Sequence, residues 1–247
     1  MKPSVCIPMY NEISVIEDTA RTLSAYMMTE FDDYEIIFSD DGSVDGSADA
    51  VENLKLPNVK VIRQPVNQGK GAAVRHAMLN ATGDCVLFTD ADLAYGTRVI
   101  REFVDAFSKN AESHVIIGSR NLDKDGYSAY TFSRKLASKI YITFLCTVGG
   151  FRLTDSQCGC KAFTAKAAKE IFSRCTVNGF SFDFEALLWA DTLGLKISEI
   201  PVKVLHHRES KIRLFRDSFK MIRDILKIRS EVRRAVRSQK GKDKKNK

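Results

Sequence analysis

Short apolar and β-branched runs at residues 4–9, 34–39, 59–63, 85–89 and 115–118 alternate with helical periodicity over 13–28, 47–54, 71–81 and 98–110. Each helical stretch is opened by a turn of small, acidic or glycine-containing sequence, where helices start. Strand–helix alternation leaves few solutions. Consecutive strands run parallel, joined by right-handed crossovers, and helices cover both faces of the sheet. The expected fold is therefore α/β, a Rossmann-like, doubly wound and mostly parallel sheet. Ligands of such sheets bind at the carboxyl ends of the strands, so the residues that follow each run are the candidates for chemistry.

Pro8-Met9-Tyr10-Asn11-Glu12 closes the first run, and Asp40-Asp41-Gly42-Ser43-Val44-Asp45-Gly46 follows the second. Asp40 and Asp41 are expected to project into the crevice, where a carboxylate accepts hydrogen bonds from a ribose or a base N–H. Gly42 and Gly46 permit the positive-φ turns that bring backbone close to a ligand. An acidic turn that merely caps the next helix has the same composition. The fourth run ends Asp90-Ala91-Asp92. Alternation along an extended segment sets the two carboxylates on one side, where they repel unless a cation lies between them. Oxygen ligands suit Mg²⁺ or Mn²⁺.

The 247 residues suffice for one elaborated domain. Six cysteines over that length do not make a disulfide scaffold, and a reducing compartment is expected. No signal peptide is visible. The longest nearly apolar run, 140–151, falls short of the roughly 20 residues a spanning helix needs. The net charge of +7 is uneven: residues 208–247 hold sixteen Lys+Arg and five Asp+Glu, leaving −4 on residues 1–207. Residues 1–207 are expected to form the catalytic domain, with a ligand-binding half at 1–120 and a second half at 121–207. A basic amphipathic helix is expected over 208–238 and a disordered basic tail over 239–247.

The helix carries an apolar stripe of Ile212, Phe215, Phe219, Ile222, Leu226, Val232 and Val236. That stripe suits packing on the core or, with its basic neighbours, an anionic membrane surface. No aromatic stacking platform accompanies it, so nucleic acid is not expected as a partner.

Together with Asn67-Gln68-Gly69-Lys70-Gly71-Ala72-Ala73 and Gly118-Ser119-Arg120, the three strand-end motifs resemble those of inverting family 2 glycosyltransferases with the GT-A fold. Asp155-Ser156-Gln157-Cys158-Gly159, Lys161-Ala162-Phe163-Thr164, Phe182-Asp183-Phe184-Glu185 and Glu209-Ser210-Lys211 resemble the dolichyl- or polyprenyl-phosphate β-glucosyltransferase branch. The related mannosyltransferases commonly carry Gln where this chain has Ala94. Cys160 stands where Phe is usual, and Arg208-Glu209 precede Ser210 where Gly is frequent. The eukaryotic branch has an N-terminal membrane anchor, which this chain is expected to lack. Membrane contact is therefore expected from residues 136–148, from the basic helix, or through a membrane-protein recruiter.

The resemblance implies transfer of a hexose, glucose from UDP-glucose being favoured, to a polyprenyl or dolichyl phosphate at the cytoplasmic membrane surface. It implies donor contacts at Pro8, Tyr10, Asn11, Glu12, Asp40, Asp41, Gly69, Lys70, Asp90 and Ala91, and metal ligation by Asp90 and Asp92. The acceptor phosphate is assigned to Arg120, Arg134, Ser210 and Lys211, and catalytic roles to Asp92, Arg120, Lys211 and Asp183. A lipid phosphate is already largely ionised, with a second pKa of about 6, and needs no general base. A saccharide acceptor would need one, at Asp183 or Asp155. GDP-mannose as donor and a saccharide as acceptor are the alternatives. Glu185 is expected to bind sugar or support Lys211, and Trp189 to lie in the core.

Overall fold

The structure, a computed structural model, describes residues 1–127, 132–205 and 214–243. In chain order its elements are β1 (Pro3–Met9), α1 (Ile16–Glu30), β2 (Glu35–Asp40), α2 (Ser47–Asn53), β3 (Val59–Arg63), α3 (Lys70–Asn80), β4 (Cys85–Phe88) and α4 (Arg98–Lys109). There follow β5 (Val115–Ser119), α5 (Phe132–Gly149), β6 (Lys161–Thr164), α6 (Ala165–Phe172), α7 (Phe182–Thr192), β7 (Ile197–Pro201) and α8 (Leu214–Asp243). The five expected strands and four expected helices are all present, with ends that differ by one to three residues.

One sheet has the order β3-β2-β1-β4-β6-β5-β7. The β3-β2-β1-β4 half is parallel, as the alternation requires. The second half departs from the doubly wound plan. β6 runs antiparallel between β4 and β5, so those two are not neighbours, while β7 pairs parallel with β5 at the edge. Neither β6 nor β7 stands out in the sequence. β6 is four residues long and opens with a lysine, and β7 is a half-buried edge strand.

β1, β2, β4 and β5 are buried along their length because helices cover both faces. Strand alternation sends Val5, Ile7, Ile36 and Phe38 toward α1 and α4, whose Leu23, Met27, Ile100 and Phe103 complete one core layer. Cys6, Ile37 and Phe88 face the other layer, built from α3, α6, α7 and α8 with Phe172, Leu187 and the buried Trp189.

α8 packs on α5 and α7, which fulfils the core-packing expectation for the basic helix. Among its described side chains, Ile225, Ile228 and Val232 are buried and Val236 packs against the core, whereas Leu226 is 52% exposed. Val232 and Val236 of the expected stripe therefore face the core, and Ile225 and Ile228 stand there in place of Leu226. α8 also extends to Asp243, so residues 239–243, expected as a disordered tail, are helical. α5 buries Ile142 and Leu145 but exposes Leu136 and Ile140, dividing its apolar residues between core and surface. Among the described residues, no helix is long and apolar enough to cross a membrane.

At the sheet end away from the Asp90–Asp92 pair, Glu35 holds β1, β2 and the turn before β4 together. Its carboxylate accepts hydrogen bonds from the Ser4 hydroxyl at 2.5 Å and from the backbone N–H and hydroxyl of Thr82, and pairs with Lys60 at 3.1 Å. Burial raises its pKa, but these donors outweigh burial and bring it to about 2. A folded pKa below the unfolded one stabilises at pH above the unfolded value, and the contribution is lost as pH falls through the folded one. Glu35→Gln is expected to lower stability by about 2–3 kcal/mol at pH 7. In urea unfolding, the gap to wild type should narrow between about pH 4.5 and pH 2.

Candidate active site

The loops that follow β1 and β2 are sewn to each other. The N–H groups of Asn11, Glu12 and Ile13 donate to Ser43 Oγ at 2.9 Å, Ser47 Oγ at 2.8 Å and Asp45 Oδ2 at 3.1 Å, and Val44 N–H donates to Asn11 Oδ1 at 3.0 Å. Asn11 adopts φ 52° to make these bonds. Tyr10 stands 40% exposed at the mouth of the crevice. Pro8 is buried within β1, so it shapes the crevice floor rather than lining it.

Neighbouring residues at a strand end point to opposite sides, and Asp40 and Asp41 divide accordingly. Asp40 is buried and receives only long bonds from Ser43 N–H, at 3.2 and 3.3 Å. Asp41 is fully engaged: Oδ1 accepts from Gln64 Nε2 at 3.1 Å and Gln68 N–H at 2.9 Å, and Oδ2 accepts from Gly69 N–H at 2.7 Å. Asp41 thus clamps the turn that launches α3.

Gly69 has φ 113°, and a Cβ on it would lie 2.5 Å from the Asn178 carbonyl oxygen. That oxygen accepts from the N–H groups of Gly71 at 2.8 Å and Ala72 at 3.3 Å. The N–H groups of Gly69, Gly71, Ala72 and Ala73 are thus bonded within the protein, and the Lys70 side chain is the cationic group this segment offers. Lys70 Nζ lies 2.5 Å from Asp90 Oδ1. Burial depresses its pKa, but attraction to Asp90, and beyond it to Asp183 and Asp92, raises it overall.

Asp90 and Asp92 lie at the end of β4. The Thr19 hydroxyl of α1 fixes Ala91 between them through its carbonyl at 2.6 Å, and Ala94 N–H donates to Asp92 Oδ1 at 3.1 Å. Burial and the Asp90 charge both push the Asp92 carboxyl above the usual range. Gly159 lies against Asp90: a Cβ there would sit 2.5 Å from Oδ2. Its N–H is held by the Tyr95 hydroxyl at 3.2 Å. Two carboxylates two residues apart in the turn after β4, which Leu93 N–H closes on the Asp90 carbonyl at 3.0 Å, fit a divalent cation of the Mg²⁺ or Mn²⁺ type, with positions left over for phosphate oxygens and water. Among the described residues, no cluster of three or more His, Cys, Asp or Glu offers an alternative centre.

Arg120, expected at the acceptor phosphate, is neutralised within the protein. Its Nε and N–H₂ groups grip Asp155 at 2.6 and 2.8 Å, its backbone N–H adds a third bond at 3.1 Å, and the guanidinium lies 5.2 Å from the Tyr127 ring centroid. Asp155 is completely buried, which removes it as a base. Glu199 on β7 holds the same loop through Thr154 and Asp155 N–H.

Asp183, in the first turn of α7, accepts from Lys161 Nζ at 2.7 Å. Lys161, wholly buried, also donates to the Cys158 carbonyl at 2.6 Å. Burial raises the Asp183 pKa against the lowering pull of Lys161 and Lys70. Glu185 accepts from Thr176 and Val177 N–H, so its observed partners are a loop rather than an open crevice. The Arg134 side chain, together with Ser210 and Lys211, lies outside what the structure describes. Sequence reasoning quoted Lys161 within a motif without giving it a role, and missed Glu199. The available signal for Lys161 was a lysine directly before Ala162 and Phe163.

Among characterised proteins, the chain is 31% identical over 242 residues to a dolichyl-phosphate β-glucosyltransferase of Dictyostelium discoideum, covering 92% of this chain and 73% of that one. It is also 31% identical over 245 residues to the Saccharomyces cerevisiae protein of that name, with coverage of 92% and 73%. Glucosyl-3-phosphoglycerate synthase from Mycobacterium tuberculosis, solved in complex with UDP, superposes with a TM-score of 0.70 at 21% identity over 93% of this chain and 80% of that one. A complex of the same enzyme with Mn²⁺, UDP-glucose and glycerol 3-phosphate gives 0.64 at 18% identity, over 92% and 78%. The sequence profile of glycosyl transferase family 2 matches residues 4–172. That span runs from β1 through α6 and takes in the loops, the Asp90–Asp92 pair and the Gly159 turn, so this protein is a member of glycosyl transferase family 2 with a GT-A fold.

Proposed function

We propose that this enzyme transfers glucose from UDP-glucose to a polyprenyl phosphate at the cytoplasmic surface of a membrane, with inversion and with Mg²⁺ or Mn²⁺ bound. The observation that carries the reading is the Asp90–Asp92 pair at the end of β4, with Lys70 2.5 Å from Asp90. The names of the relatives support the donor and acceptor, and the Mn²⁺, UDP and UDP-glucose complexes of the solved enzyme support the metal and nucleotide.

In this reading Asp90 and Asp92 hold the ion, which when bound neutralises the departing diphosphate. Lys70 adds a fixed positive charge beside the diphosphate. Asp41 keeps Lys70 in place through Gly69, and Tyr10 offers its exposed ring to the base. A lipid phosphate attacks as an anion, so no side chain needs to take a proton. This agrees with Asp183 being held by Lys161 and Asp155 by Arg120. The acceptor's charge is left to Arg134, Ser210 and Lys211.

Membrane contact falls to two neighbouring helices. α5 exposes Leu136 and Ile140 beside Lys135 and Lys139, and α8 exposes Arg233, Arg234 and Arg237. Apolar side chains flanked by basic ones suit an anionic headgroup layer.

The test is transfer of radiolabel into organic-extractable lipid from UDP-glucose, GDP-mannose and UDP-N-acetylglucosamine, with a polyprenyl phosphate and either metal. Metal-dependent label from UDP-glucose is expected. Label from GDP-mannose alone would move the enzyme to the mannosyl branch. Saturable UDP binding without lipid label from any donor would replace the lipid acceptor with a saccharide.

A further inference from the structure

Glu185 lies at the start of α7, beyond the residues that the family profile matches, and is 3% exposed. A carboxylate so buried requires donors, and it has four bonds from one short stretch. Thr176 N–H donates to both its oxygens at 3.0 Å, the Thr176 hydroxyl to Oε1 at 3.1 Å, and Val177 N–H to Oε2 at 2.8 Å. The next residue is Asn178. Its carbonyl receives Gly71 N–H at 2.8 Å and a longer second bond, at 3.3 Å, from Ala72 N–H, which also bonds the Gly69 carbonyl at 2.9 Å; its side-chain oxygen receives Arg75 at 2.7 Å from one turn further along the same helix. Gly69 and Gly71 have no side chain, which lets this loop touch the backbone of α3. Between those glycines stands Lys70, with its ammonium on Asp90.

We infer that Glu185 is a positioning residue for Lys70: it fixes the 176–178 loop, the loop fixes the first turn of α3, and that turn aims the lysine at the Asp90 side of the donor site. The inference refines the donor reading above and rests on it only for the ligand used in one arm of the test. The observed partners of Glu185, Thr176 and Val177, lie in the 176–178 loop. Its effect passes through Lys70, so it is confined to whatever Lys70 binds, the diphosphate rather than the nucleoside. Residues that orient a first contact typically alter affinity 10–100-fold when replaced.

Two measurements on the full chain test this. Hydrogen exchange on Glu185→Gln, without any ligand, should show the Gly71 amide losing protection selectively, because Asn178 is its acceptor, while Ala72 keeps its bond to the Gly69 carbonyl. Unchanged protection at Gly71 overturns the inference whatever the protein binds. Calorimetric titration with Mn²⁺ present should show UDP binding weakened about 10-fold, with uridine binding within twofold of wild type. In a Lys70→Met background the same substitution should cost UDP nothing further, since coupled residues are non-additive. An equal loss for UDP and uridine, or the full loss repeated without Lys70, would make Glu185 a structural residue only.

Arg75→Met, which removes only the outer tether of Asn178, serves if Glu185→Gln does not fold. It should weaken UDP less, and again only while Lys70 is present. If wild-type protein binds no UDP at all, the donor reading fails and the exchange experiment alone decides the inference.

Discussion

Asp92→Asn is expected to lower hexose transfer about 10³-fold while leaving the protein folded and no less stable than wild type in the absence of metal. The two halves of this expectation share one cause. Burial and the Asp90 charge raise the Asp92 carboxyl above its ordinary range. A folded pKa above the unfolded one means that ionised Asp92 costs stability at neutral pH. Neutral asparagine keeps the shape, still accepts from Ala94 N–H, and removes the repulsion. What it cannot do is contribute charge to a divalent cation.

Thermal unfolding separates the two effects. Mn²⁺ with UDP should raise the midpoint of wild type through linkage and leave the Asp92→Asn midpoint nearly where it stands without them. A variant that keeps the Mn²⁺-dependent rise would remove Asp92 from the metal site, and one that keeps transfer would remove the metal site from the chemistry.

Asp90 and Asp92 were legible as a motif past a strand end, but the two-residue period expected of them does not apply: β4 stops at Phe88, and Leu93 N–H closes a turn on the Asp90 carbonyl at 3.0 Å. The partners of Asp41 were not legible: Gln64, Gln68 and Gly69 arrive from beyond β3 to bond both its oxygens. Arg120 is alike in this, for the Asp155 that pairs with it is thirty-five positions away. The parallel half of the sheet followed from alternating strands and helices, each long enough to show a period. β6 was hidden by its brevity and by Lys161, a charge inside a strand that is intelligible only once Asp183 is seen opposite it. In α8 the core face was read at Val232 and Val236 but not at Leu226, since Leu226 and Ile225 suit an apolar face equally and the choice is made by α5 and α7. Local chemistry showed where groups gather, and long-range pairing decided which of them were already satisfied.

That Lys161–Asp183 pair supports the other large expectation. Lys161→Met should destabilise the protein by about 3–5 kcal/mol at pH 7, because it strands a buried carboxylate. Lys161→Met/Asp183→Leu, which removes both charges and fills the space with apolar volume, should recover most of that loss. The pH dependence has a definite sign. Burial already holds the Asp183 pKa above its ordinary value, with Lys161 opposing the rise, so losing Lys161 raises it further. A carboxyl with a raised folded pKa is penalised where it must ionise, so the deficit of the single variant should be largest near neutrality and shrink as pH falls toward about 4. Urea unfolding of the three proteins at pH 7 and pH 5 reads this directly. A double variant as unstable as the single one would mean that packing around Lys161, not its charge, is what the site requires. The double variant also decides what Asp183 does: if it is stable and transfers to lipid phosphate, the carboxylate is a brace, whereas a stable but inactive protein places Asp183 on the substrate.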